Sequence, residues 1–115
     1  MKILIVDDDP HIRTLYKEEL IDEGYEVVLA NSGKEALEIF EKENFDLVTL
    51  DILMPGMDGI EVLRKMKEKN PALPVIMSTA YDYRDDFSVW ASEAYVVKSA
   101  DLDELKSTIK KLLNK

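Results

Sequence analysis

The chain contains no cysteine, which excludes a disulfide framework and any thiolate-bound metal, and nothing in it asks for an oxidising compartment. Glycine and proline occur only four times each. No Pro-, Gly- or Ser-rich stretch and no internal repeat divides the chain, which implies one compact unit. No apolar run approaches the ~20 residues that cross a bilayer, and the ILIV following Met1 and Lys2 is too short for a secretory core. A soluble, cytoplasmic protein without membrane contact is the expectation. Positive charge is also scarce. The 15 basic residues face 24 acidic ones, and the resulting net charge of -9 opposes contact with the phosphate backbone of nucleic acids. Partners should be proteins, or small anions met through a cation. Histidine occurs once, as His11, and reads as a solvated helix position.

What the chain does hold is apolar material for one core, 46% of 115 residues, so a single domain over residues 1–115 is expected. Its apolar residues fall into short runs that alternate with segments of helical period. Ile3 to Val6 is apolar and mostly β-branched at successive positions, as suits a strand covered on both faces. Asp9 then reads as an N-cap with Pro10 at the first helical position. Ile12, Leu15, Tyr16 and Leu20 share one face, and Gly24 ends the helix. The unit repeats. Tyr25 to Ala30 reads as strand, and Ser32 with Glu35 forms a capping box before Ala36, Leu37 and Phe40. A third strand is expected from Asp46 to Leu50, and Asp58 with Glu61 opens a helix whose inner face is Ile60, Leu63 and Met66. A fourth strand runs from Val75 to Ser78, a helix near 86–92 follows, and a fifth strand lies around Tyr95 to Val97. Asp101 and Glu104 cap a last helix striped by Leu102, Leu105, Ile109, Leu112 and Leu113. Its lysines, Lys106, Lys110, Lys111 and Lys115, read as the solvated face. Five strands alternating with five helices predict an α/β, doubly wound parallel sheet with helices on both faces.

In such sheets, sites form beyond the carboxyl ends of the strands. The residues found there are Asp7, Asp8 and Asp9 after the first strand, Asp51 after the third, Thr79 after the fourth and Lys98 after the fifth. Carboxylates crowded on one rim repel unless a cation lies between them, and an all-oxygen set selects a hard divalent ion. Magnesium is the expected cofactor. It binds through one or two carboxylates and readily shares phosphate oxygens. An acidic triplet alone more often caps a helix, but Asp51, Thr79 and Lys98 at neighbouring strand ends favour the metal reading.

Together the segments ILIVDDDP, LDILMPGMDG, STA and YVVK resemble, in order and over essentially the whole chain, the receiver domains of two-component response regulators. The resemblance implies a flavodoxin-like five-stranded sheet in the order 2-1-3-4-5. It implies that Asp51 accepts a phosphoryl group from a sensor histidine kinase or phosphotransfer protein. Asp8 and Asp51 would ligate Mg2+ directly, Asp7 through water and Leu53 through its backbone carbonyl, with Asp9 serving only as cap. Lys98 would neutralise phosphoryl charge. Thr79 would be the switch hydroxyl and Tyr95 the aromatic that follows it inward. Ala80, Leu53 and Tyr81 would flank the phosphoryl group. A downstream protein would then bind the surface of the fourth helix, fifth strand and last helix, the chain being a monomer or weak dimer.

Three departures from the family pattern stand out. Ser99 rather than Pro follows Lys98, so the loop there is either trans and rearranged or strained by a cis bond that costs about 3–4 kcal/mol before a non-proline residue. The stretch from Thr79 to Lys98 is short, implying a truncated fourth helix, and concentrates Tyr81, Tyr83, Phe87 and Trp90. Leu53 and Tyr81 offer no carboxylate or amide to orient water, so slow self-dephosphorylation is expected. The rival function is a magnesium-dependent phosphatase with an Asp nucleophile. Such enzymes generally carry a second Asp two residues on, where this chain has Leu53.

Overall fold

A computed structural model of the chain describes residues 1–51, 59–79, 94–97 and 102–113. The ILIV run forms β1 (Lys2–Val6), and α1 (Pro10–Asp22) follows. As the sequence suggests, Asp9 is the N-cap of α1, its side chain accepting the His11 N–H, and Pro10 stands at the first helical position. The helix stops at Gly24, whose φ of 94° lies in the region open to glycine. There the N–H of Tyr25 reaches the Leu20 carbonyl at 3.1 Å and that of Gly24 the Ile21 carbonyl at 2.9 Å, so the last carbonyls are bonded.

The alternation continues through β2 (Glu26–Ala30), α2 (Gly33–Lys42), β3 (Leu47–Leu50), α3 (Gly59–Lys69), β4 (Val75–Thr79), β5 (Ala94–Val97) and α4 (Asp103–Leu113). All strand pairs are parallel, and the sheet order is β2-β1-β3-β4-β5. The expected helix near 86–92, the cap residue Asp101 and the aromatics Tyr81, Tyr83, Phe87 and Trp90 lie outside the described residues. Among the described residues no helix is long and apolar enough to cross a membrane.

Alternating side chains of β1 to β4 feed two cores. Leu4 and Val6 join Val48, Leu50, Val75 and Met77 under α2 and α3, with Phe40, Val62, Leu63 and Met66. Ile3 and Ile5 join Leu47 and Ile76 under α1 and α4, with Tyr16, Leu20, Leu105 and Ile109. Burial on both faces is why the strands read as continuous apolar runs rather than as alternating patterns. A polar bridge in the second core joins the Tyr16 hydroxyl to Ser78 Oγ at 2.8 Å.

Three details differ from the sequence reading. The Ser32 hydroxyl does accept the Glu35 N–H at 3.1 Å, but the Glu35 carboxylate reaches back to Asn31 N–H at 2.9 Å, one residue beyond a reciprocal capping box. Val62 joins Leu63 and Met66 in the buried face of α3, while Ile60 is half-buried, because a helix against a sheet buries a broad stripe. Lys106 is not a solvated side chain. Its ammonium donates to Glu19 of α1 at 2.9 Å with Glu23 at 4.0 Å, and this hydrogen bond to Glu19 chiefly raises its pKa.

Candidate metal centre and phosphoryl site

Parallel pairing brings the acidic residues together. Beyond the last residue of β1, Asp7 N–H still bonds the Ala30 carbonyl at 3.1 Å, and beyond β3, Asp51 N–H bonds the Val6 carbonyl at 3.0 Å. Asp7 and Asp51 are thus the first residues past two adjacent strands, each anchored by its main chain. Asp7 Oδ1 accepts the Asp9 N–H at 2.9 Å, which closes a tight turn over Asp8. The outcome is that Asp7, Asp8 and Asp51 each bring a carboxylate oxygen within 4.8 Å of the others. Asp7 is 2% and Asp51 5% exposed, whereas Asp8 faces solvent.

The donor set fits a hard divalent cation. All three ligand atoms are carboxylate oxygens, the type preferred by magnesium and calcium over softer metals. In an octahedral shell with metal–oxygen distances of about 2.1 Å, neighbouring oxygens stand about 3.0 Å apart and opposite ones about 4.2 Å. The carboxylate separation is of that scale. Like charges this close repel, and a divalent cation between them relieves that repulsion. Among the described residues Asp8 is the solvent-facing member of the set.

The remaining expected site residues fall as follows. Thr79 ends β4 and pairs with Val97 of β5, and Tyr95 pairs with Met77, so both belong to adjacent strands of the sheet. Val97 is the residue that precedes Lys98 in sequence. Lys98, Leu53, Ala80 and Tyr81 lie outside the described residues, as do Asp58 and Ser99. His11 is exposed, consistent with a solvated helix position. Sequence reasoning passed over Arg13, whose guanidinium Nη1 donates to the Asp7 carbonyl at 2.8 Å. A basic residue one turn into a helix, near its positive pole, was the available signal.

Comparison with known proteins agrees with this geometry. Residues 3–110 match the response regulator receiver domain family. The chain is 43% identical to sporulation initiation phosphotransferase F of Bacillus subtilis over 115 residues, covering 97% of this chain and 93% of that protein. It is equally 43% identical to the transcriptional regulatory protein ZraR of Escherichia coli, but there it spans only 26% of the relative's length. Among solved structures, the response regulator TrrA of Thermotoga maritima in complex with Mg(2+)-BeF superposes with a TM-score of 0.95 at 53% identity, covering 97% of this chain and 98% of that one. TrrA in complex with the histidine kinase ThkA gives a TM-score of 0.92 at the same 53% identity, with 97% of both chains covered. With its flavodoxin-like parallel sheet and a cluster of acids at the carboxyl rim, the chain belongs to the response regulator receiver domains of two-component systems.

Proposed function

We propose that this chain is a phosphorylation switch in which Asp51 takes a phosphoryl group from the phosphohistidine of a sensor kinase or phosphotransfer protein. The observation that carries the proposal is the meeting of the Asp7, Asp8 and Asp51 carboxylates at one sheet rim. The similarity to TrrA, seen with a histidine kinase and with Mg(2+)-BeF, supports the choice of donor and cation.

Asp8 and Asp51 would hold Mg2+ directly, Asp7 through a water and Leu53 through its carbonyl. When bound, the ion supplies neutralisation of charge on the phosphoryl oxygens. The Asp51 carboxylate oxygen attacks phosphorus in line. A P–O bond forms as the P–N bond to the donor imidazole breaks, and the imidazole leaves with the electron pair. Little covalent work falls to the protein beyond this, so positioning and electrostatics dominate. Lys98 balances the phosphoryl charge, and Ala80 is small enough to leave access.

The new group adds about 1.5 to 2 negative charges and several acceptor oxygens. The Thr79 hydroxyl donates to one of them, and Tyr95 moves inward behind it. The surface formed by the segment after β4, by β5 and by α4 changes shape and binds the output protein. Leu53 and Tyr81 orient no water, so the aspartyl phosphate is long-lived and the chain is not a turnover enzyme.

Incubation with acetyl phosphate and magnesium chloride, read by intact mass, tests the proposal. One phosphoryl group per chain is expected, mapped to Asp51 and lost both with EDTA and in Asp51→Asn. No adduct on the wild-type chain contradicts it, and hydrolysis of many equivalents would identify a phosphatase instead.

A further inference from the structure

Arg13 stands where helix electrostatics disfavour a cation. It lies one turn into α1, near the positive pole of the macrodipole, in a helix with no acidic side chain in its first turn. A residue that breaks a local rule at the margin of a functional site calls for a compensating role.

The hydrogen bonds give one. The Arg13 N–H bonds the Asp9 carbonyl at 3.1 Å, and its guanidinium Nη1 bonds the Asp7 carbonyl at 2.8 Å. Asp8 is therefore bracketed, with the carbonyl before it and the carbonyl after it both held by the same residue. A third bond, Asp9 N–H to Asp7 Oδ1 at 2.9 Å, closes the turn from inside. Of these three bonds, the guanidinium bond is the one from a side chain that can be exchanged without touching the acids.

We propose that Arg13 is a positioning residue for the dication site, fixing the Asp7–Asp9 turn so that the Asp7 and Asp8 carboxylates meet that of Asp51. The inference rests on the magnesium reading above. It can be separated from a simple charge effect, because the two have opposite signs. A fixed guanidinium repels an arriving dication, so if charge were its only influence, removing it would tighten binding. Loss of a clamp on the ligand-bearing turn weakens binding instead. The two roles also treat cations differently. Magnesium demands near-octahedral geometry, whereas calcium accepts six to eight oxygens in flexible arrangements. A loosened turn penalises magnesium more than calcium, while a change of charge acts on both alike.

Calorimetric titration of wild type, Arg13→Met and Arg13→Lys with magnesium chloride and, separately, calcium chloride is the test. Arg13→Met should raise the Kd for Mg2+ about tenfold, the lower end of the range for residues that hold metal ligands in place. It should raise the Kd for Ca2+ less, and Arg13→Lys should show a smaller loss of the same kind. Unchanged or tighter Mg2+ binding in Arg13→Met, or an equal change for both cations, overturns the inference. Should Arg13→Met fail to fold, the Mg2+/Ca2+ affinity ratio of Arg13→Lys decides: a fall supports positioning and a wild-type ratio overturns it. A wild-type chain that binds neither cation removes the magnesium reading itself, so the two failures are distinct.

Discussion

The two ends of the same sheet gather acidic side chains and treat them in opposite ways. At the amino end everything converges on Lys2. Its N–H bonds Asp46 Oδ2 at 2.7 Å, its ammonium bonds Glu43 and lies 3.7 Å from Glu26, and the same group sits 5.3 Å from the centroid of the Phe45 ring. At the carboxyl end Asp7, Asp8 and Asp51 crowd one another to within 4.8 Å. Acids that serve the fold come with a cation encoded in the chain. The acids of the proposed function lie close enough to one another that a divalent cation from solution would join them, with Asp51 as the carboxylate that receives phosphorus.

The largest expected effect lies between the two rims, at the neutral pair in the second core. Ser78, one residue before Thr79, is buried and its hydroxyl is bonded to Tyr16. Tyr16→Phe strands a buried hydroxyl and should cost about 1–3 kcal/mol of stability, while Tyr16→Phe combined with Ser78→Ala should recover much of that loss. Urea unfolding of the two single variants and the double variant measures it. Additive losses would show that the pair is not the stabilising unit.

Next in size is the effect of removing one acid at each rim. Asp8→Asn relieves crowding of like charge and should stabilise the metal-free protein by about 1 kcal/mol while weakening Mg2+ uptake. Glu43→Gln removes a paired acid and should lower the thermal midpoint. Opposite signs of the two midpoint changes in EDTA support the contrast between rims, and equal signs would remove it.

The smallest effect is a pH dependence. The Lys2 ammonium is held above the ordinary lysine range, chiefly by its hydrogen bond to Glu43. A group whose pKa is raised on folding contributes stability that is complete below its unfolded pKa and is lost as pH rises through the folded value. The deficit of Lys2→Met relative to wild type should therefore persist through neutral and mildly alkaline pH and disappear above the raised lysine pKa. Thermal midpoints recorded over that interval check it, and a deficit that instead grew at high pH would contradict the assignment.

Much of this molecule is legible in its sequence because the relevant signals are local. The Asp9 cap, Pro10, Gly24 and the strand-like ILIV run each act within a few residues, and the structure places them as expected. The acids of the site were equally readable, since topology sends every residue just after a strand to the same rim. What escaped depends on distant partners or on the main chain. Lys106 looks solvated until α1 is seen beside α4, for its partner Glu19 lies 87 residues away. The Tyr16–Ser78 bridge spans 62 residues and joins two side chains that each read as ordinary core positions. Arg13 escaped for another reason: its partner is a backbone carbonyl, so no complementary side chain marks the contact in the sequence.

The central claim is that the three carboxylates form one dication site. The most direct measurement is a magnesium chloride titration of the isotope-labelled protein followed by backbone amide shifts. The account predicts saturable, one-site changes centred on Asp7, Asp8, Asp9 and Asp51, strongly weakened in Asp8→Asn. Shifts that do not saturate, or that survive Asp8→Asn unchanged, would contradict it.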